Sequence, residues 1–221
     1  MDHLVIDRIE QVASFDVDPQ YTFTPVCPNE LPVLGGDEIA AELNSQARFA
    51  SVRIGSKDAH SPAAAWVADT DHPQFSPVEG RDMDIRWAAH AVPGTKGFEL
   101  LEGLPKPADY DFFVWKGVEL DMHPYGACYH DLADRLSTGV IEFLRAKQIR
   151  TVIVGGLATD YCVKTTVMQL CRAGFNVVVN LGACRGIAAE TITAAITEMK
   201  AAGVRFVNRA DELNNNGIAA A

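Results

Sequence analysis

The apolar positions change period along the chain. In the C-terminal half, residues 150–156 (RTVIVGG), 175–180 (FNVVVN) and 204–208 (VRFVN) are short β-branched runs with little alternation. That is the pattern of strands covered on both faces in a parallel sheet. Between them the period lengthens to that of a helix. Val163, Val167 and Leu170 recur at i, i+4 and i+7 before a Gly174 stop, and Ile192, Ile196 and Met199 do the same before Gly203. The N-terminal half repeats the alternation more loosely. Residues 12–18 (VASFDVD), 48–56 (RFASVRIGS) and 109–115 (DYDFFVW) read as strands, residues 37–44 as a helix carrying Ile39 and Leu43, and residues 140–147 as a helix ahead of Arg150.

This order predicts an α/β fold: a doubly wound, mostly parallel six-stranded sheet with helices on both faces, built as one domain over residues 1–221. Two stretches, 61–108 and 117–131, follow neither period and are rich in Pro, Gly, Asp and His. Loops of that length in a compact domain usually carry function. The tail NNNGIAAA is expected to fray.

Composition narrows the function classes. A content of 48% hydrophobic and 22% charged residues is that of a globular protein with a sizeable core. The formal net charge of -10, with no basic patch, argues against nucleic acid or an anionic membrane surface as partner. The N-terminus MDHLVIDRIEQ has neither signal-peptide nor membrane-span character, so the cytoplasm is expected. Five scattered cysteines, Cys27, Cys128, Cys162, Cys171 and Cys184, form no Cys-x-x-Cys pair and argue against a disulfide framework or zinc ribbon.

Ligands of open α/β sheets bind outside the carboxyl ends of the strands. Four groups capable of chemistry fall there: Asp16 and Asp18, Asp58 and His60, Lys116, and Cys162. Cys162 follows Thr159 and Asp160, either a good N-cap, which places it in the first turn of a helix. There the macrodipole would favour a thiolate and free N–H groups would hold an oxyanion, although a sheltered junction thiol is inert. Asp16 is either a general base or a loop carboxylate capping a turn. Lys116 either steadies neighbouring negative charge or reaches out to solvent. Asp58-Ala59-His60 has the i, i+2 spacing of two metal ligands on one face of an extended segment, with His90 or His72 to complete a site for Zn²⁺, Mn²⁺ or Fe²⁺. His3, His123 and His130 have no such company and read as structural.

Taken together, GGLATDYCVKTT, the metal D-x-H, RWAAHAVPGT and FVWKG resemble, in order, the motifs of the isochorismatase-like cysteine hydrolases, and within them the nicotinamidases. The resemblance implies a Cys162, Asp16 and Lys116 catalytic set. It also implies an oxyanion hole from the N–H groups of Ala158 and Cys162 beside a cis Leu157–Ala158 peptide. One divalent metal (Zn, Fe or Mn) would sit on Asp58, His60 and His90, and Phe23, Trp87 and Tyr125 would surround the substrate ring. The segment after the first strand is two residues longer than the family's D-x-Q-N-D-F, which keeps Asp18 in contention with Asp16, and Ala91 replaces a family cysteine. The implied reaction is hydrolysis of nicotinamide, and of pyrazinamide, to acid and ammonia in NAD salvage. A relative acting on N-carbamoyl or ureido amides is the alternative. The expected partner is a small amide, with neither nucleic acid nor membrane, and a homo-oligomer is compatible with it.

Overall fold

A computed structural model describes residues 3–215. Six parallel strands form the main sheet: β2 (Val12–Val17), β3 (Val52–Asp58), β4 (Phe112–Lys116), β5 (Thr151–Leu157), β6 (Asn176–Arg185) and β7 (Arg205–Val207), in the order β4-β3-β2-β5-β6-β7. The chain builds outward from β2 to β4 in one direction, then returns to build β5 to β7 in the other. The switch point therefore lies between β2 and β5, where a doubly wound sheet opens its crevice.

Alternation along the strands decides the two faces. Ala13, Phe15 and Val17 join Val52, Ile54, Val152, Val154, Val177 and Val179 in one core. Three helices close that core: α2 (Val140–Ala146), α3 (Lys164–Arg172) and α4 (Ala189–Ala201). Of the apolar residues that set their helical period, Leu144, Val163, Val167, Leu170 and Met199 are fully buried, whereas Ile192 and Ile196 are half-buried. The opposite face receives α1 (Ala40–Ala47). Val12, Ile153 and Val178 pack on that side beneath a two-stranded parallel ribbon of β1 (Leu4–Ile6) and β8 (Leu213–Asn215).

The ribbon was not foreseen, because three-residue strands carry too little periodicity to register. It draws Asn214 and Asn215 into β8, so the tail expected to fray begins as strand, while residues 216–221 lie outside the described residues. The helix expected over 37–44 starts later, a short 3-10 turn at Gly36–Glu38 preceding α1. Among the described residues no helix is long and apolar enough to cross a membrane. Residues 61–108 and 117–131 are mostly irregular and pack a third core around Trp66, Trp87 and Phe23, over the carboxyl ends of the strands.

Candidate active site

The pleat of β2 separates the two candidate carboxylates. Ser14 and Asp16 face α1, whose Gln46 Nε2 donates to Ser14 Oγ at 3.2 Å. Asp16 Oδ2 accepts from Arg53 Nε (2.9 Å), Arg53 Nη2 (2.7 Å) and the Tyr110 hydroxyl (2.9 Å). Cys162 packs in the other core, with Phe15 and Val17. The expectation that Asp16 meets the cysteine is therefore corrected: a residue alternating with Phe15 and Val17 points through the sheet to the wrong side. Burial pushes the Asp16 carboxyl up to about 6, against the pull of Arg53.

Asp18 lies just past the strand and turns back through a left-handed backbone (φ 46°), a conformation that aspartate tolerates better than most residues. The Ser56 hydroxyl donates to Asp18 Oδ1 at 2.7 Å and accepts the Asp18 N–H at 3.3 Å. Asp18 Oδ2 lies 3.0 Å from Lys116 Nζ, yet has no aligned hydrogen bond. The contact is an ion pair that leaves this oxygen free to accept a proton.

Lys116 closes β4 directly opposite Asp58 on β3 and is wholly buried. Its ammonium donates to Asp58 Oδ1 and, more distantly, to Pro124 O (3.4 Å) and Cys162 Sγ (3.6 Å). Burial alone would depress this ammonium. The Asp18 and Asp58 carboxylates outweigh it and hold Lys116 charged, its pKa well above the ordinary value. Burial alone would raise the Asp58 carboxyl, but the Lys116 ammonium prevails and holds it below its ordinary value. Asp18 is left at about 6, raised by burial and by Asp58 against the pull of Lys116.

Cys162 stands in a π-helical turn, Thr159–Val163, between β5 and α3. Such turns concentrate at functional sites. Neither Thr159 nor Asp160 caps it; Ala158 holds the cap position without a side-chain bond. Asp160 instead accepts the Ile187 N–H (3.1 Å) and the Thr191 hydroxyl (2.5 Å), which secures the start of α4. The Leu157–Ala158 peptide bond is cis. The lowered thiol pKa expected from helix position does not survive burial. Desolvation drives Cys162 well above the usual thiol range, Asp18 and Asp58 push the same way, and Lys116 opposes them. The resting sulfur keeps its proton and needs an acceptor.

Beside this cluster stand three imidazoles. His60 Nδ1 donates to Gly117 O (2.9 Å) and His90 Nδ1 donates to Ala88 O (2.8 Å). A carbonyl only accepts, so each Nδ1 carries a proton and Nε2 is the nitrogen left to face a ligand; that of His60 is buried without a hydrogen bond. Gly117 (φ +68°) makes this possible, since a Cβ there would run into the His60 ring. Asp58 Oδ1 is 3.4 Å from His60 Nε2, and Asp58 Oδ2 is 3.9 Å from His90 Nε2. Burial drives His90 down to about 3.

The third imidazole is His123, which had been read as structural; one ring atom of each of the three histidines lies within 4.8 Å of the others. Its only sequence signal was membership of the long His-containing loop 117–131. His72 is exposed and paired with Asp69 at 3.0 Å, far from this role. One ammonium facing two carboxylates leaves a net buried negative charge beside imidazole nitrogens, a donor set that fits a divalent cation.

Cys162, Asp58, His90 and His123 border one cavity with an empty volume of about 330 Å³ including its mouth, and Asp18, Lys116 and His60 stand behind them. Cys162, Ala158, Asp58, His90 and His123 line one part of it, and Phe23, Trp87, Tyr125 and Tyr161 line the rest. Trp87 Nε1 donates to the Tyr125 hydroxyl (3.2 Å), which donates to Asp84 Oδ1 (2.8 Å). Trp87 also meets Tyr161 edge-on at 5.1 Å. Tyr161, inside the GGLATDYCVKTT motif beside Cys162, and Asp84, in the long irregular stretch, were not singled out in the sequence. The space suits a single planar ring held near the sulfur.

The isochorismatase domain family matches residues 37–211 of the chain. A nicotinamidase of Acinetobacter baylyi is 30% identical over 198 residues, covering 87% of this chain and 90% of that protein. Among solved structures, an Acinetobacter baumanii nicotinamidase/pyrazinamidase superposes with a TM-score of 0.83 at 26% identity, over 92% of this chain and 98% of the other. The pyrazinamidase of Pyrococcus horikoshii, in complex with zinc, does so with a TM-score of 0.72 at 25% identity, over 89% and 98%.

Proposed function

The chain belongs to the isochorismatase family, and from that premise we propose that it hydrolyses the amide of nicotinamide, and of pyrazinamide, to the acid and ammonia in NAD salvage. One observation carries the reading: a buried Asp18–Lys116–Cys162 cluster opens into an aromatic-lined cavity beside convergent histidines. Phe23, Trp87 and Tyr125 hold the ring, with the Trp87–Tyr125–Asp84 hydrogen bonds setting the aromatic wall.

Asp18 takes the thiol proton, and the Cys162 sulfur bonds to the amide carbon. The N–H groups of Ala158 and Cys162 receive the charge that develops on the carbonyl oxygen. Asp18 returns its proton to the leaving nitrogen, ammonia departs, and a thioester remains. Water then attacks the thioester carbon, giving one proton to Asp18. The acid leaves, and the sulfur recovers a proton from Asp18. Lys116 keeps both carboxylates in place and lowers the cost of negative charge on sulfur. Asp58, His60 and His90 would hold a divalent ion, which when bound supplies a Lewis acid that anchors the pyridine nitrogen. The five cysteines are free thiols, in keeping with a reducing cytoplasm.

The test is ammonia release from nicotinamide, pyrazinamide and an N-carbamoyl amide by metal-quantified protein, before and after thiol alkylation. Release from the two ring amides, abolished by alkylation, is expected. Turnover that survives alkylation, or hydrolysis of the N-carbamoyl amide alone, would overturn the reading.

A further inference from the structure

The long loop that follows β4 brings a third imidazole to the cavity, and the metal reading above leaves it without a role. We infer that His123 is a direct ligand of the metal, so that the ion's seat in this protein is three imidazoles, His60, His90 and His123, with Asp58 as the lone carboxylate. The inference rests on the metal site of the proposed function and extends its ligand set.

Three observations carry it. One ring atom from each histidine falls within 4.8 Å of the other two, the spacing of ligands around a single ion. The His123 ring is 96% buried, and its Nδ1 has no hydrogen-bond partner, as is also true of His60 Nε2. Buried polar atoms are nearly always satisfied, and two orphans in one histidine cluster point to a common missing partner. The third observation concerns placement. The His123 N–H donates to Asp82 O at 2.8 Å, which ties the loop down at that residue. The buried Trp66 ring packs at 4.3 Å from the His123 ring and 4.7 Å from that of His60, backing both imidazoles with an apolar surface. A side chain merely filling space would not need such anchoring beside the His60 and His90 Nε2 atoms.

The charge balance explains why a third nitrogen is useful. Asp58 Oδ1 accepts from Lys116, so this carboxylate is divided between the ammonium and the ion. Three neutral imidazoles supply the remaining donors without adding negative charge beside Asp18 and Cys162. A seat of that kind still keeps an open coordination position for a ring nitrogen.

The experiment uses the full chain loaded with zinc. X-ray absorption at the zinc edge of the unaltered protein should require three imidazoles in the inner shell, and a fit with two would overturn the inference without any variant being made. Zinc affinity is then measured by chelator competition for the unaltered protein, His60→Ala, His123→Ala and the outlying His130→Ala, with circular dichroism to confirm folding. His60→Ala and His123→Ala should each weaken zinc by at least roughly 100-fold, the upper end of what outer-sphere changes cost, and His130→Ala should not. If His60→Ala loses zinc while His123→Ala binds like the unaltered protein, the inference fails and the metal site stands. If the unaltered protein takes up no stoichiometric zinc, both fail.

Discussion

The floor and the wall of the cavity are built in different ways. The floor is set by regular structure: Lys116 is the last residue of β4, Asp18 follows β2, and Cys162 follows β5, at the switch point of the sheet. The wall is set by irregular chain: His90, Trp87, His123 and Tyr125 come from loops that pack on one another around Trp66. Strand ends place the proposed reacting groups through the register of the sheet. Loops place the proposed binding groups through many separate side-chain contacts instead.

The largest effect should come from the floor. Cys162→Ala should reduce turnover by roughly 10⁴-fold or more, since the nucleophile is lost. Zinc content should be unchanged, because Cys162 is not among the residues proposed to hold the metal, Asp58, His60, His90 and His123. Steady-state ammonia release and metal analysis on one preparation check both halves, and retained turnover would remove the sulfur from the mechanism.

The next pair of variants separates the two carboxylates. Asp18→Asn should cost about 10²- to 10⁴-fold in kcat, the range for a positioned base. Asp16→Asn should stay within a few-fold of the unaltered protein, since Asp16 is engaged with Arg53 on the other side of the sheet. The reverse result would return the base to Asp16.

On the wall, Tyr125→Phe removes the hydroxyl that links Trp87 to Asp84. A net hydrogen-bond loss of about 1 kcal/mol predicts a KM raised about five-fold with kcat nearly unchanged. A fall in kcat alone would place Tyr125 with the floor instead.

The smallest effect concerns stability and pH. Burial raises the folded Asp16 carboxyl to about 6 from an ordinary value of 3.8. With the folded value above the unfolded one, the protonated form favours the fold. That contribution is complete below the unfolded value and is lost as pH rises through about 6. Denaturant midpoints taken across that interval should fall more steeply for the unaltered protein than for Asp16→Asn, and parallel curves would contradict the assignment.

Much of the floor was legible beforehand. β-branched runs and helical repeats carry enough apolar periodicity to place the six sheet strands within a few residues, and with them the carboxyl edge that gathers Asp18, Asp58, Lys116 and Cys162. The wall was less legible. His90 was one of two candidates, with His72, to complete the D-x-H pair, and Trp87 and Tyr125 came from resemblance to known motifs, whereas His123 had neither a motif nor a period around it. Asp160, close to Cys162 in sequence, proved to secure α4 instead.

The sequence by itself determined the order of strands and helices and the kinds of group that reach the crevice, because local periodicity and residue chemistry are properties of short segments. Only the tertiary structure decided between Asp16 and Asp18, since that choice depends on the pleat of β2 and on the left-handed turn after it, two residues apart but on opposite sides of a sheet. It alone also brought His123 to His60 and His90, and its burial of Cys162 raised that thiol above its ordinary range. Both follow from packing and desolvation among segments far apart in the chain, which no local pattern records.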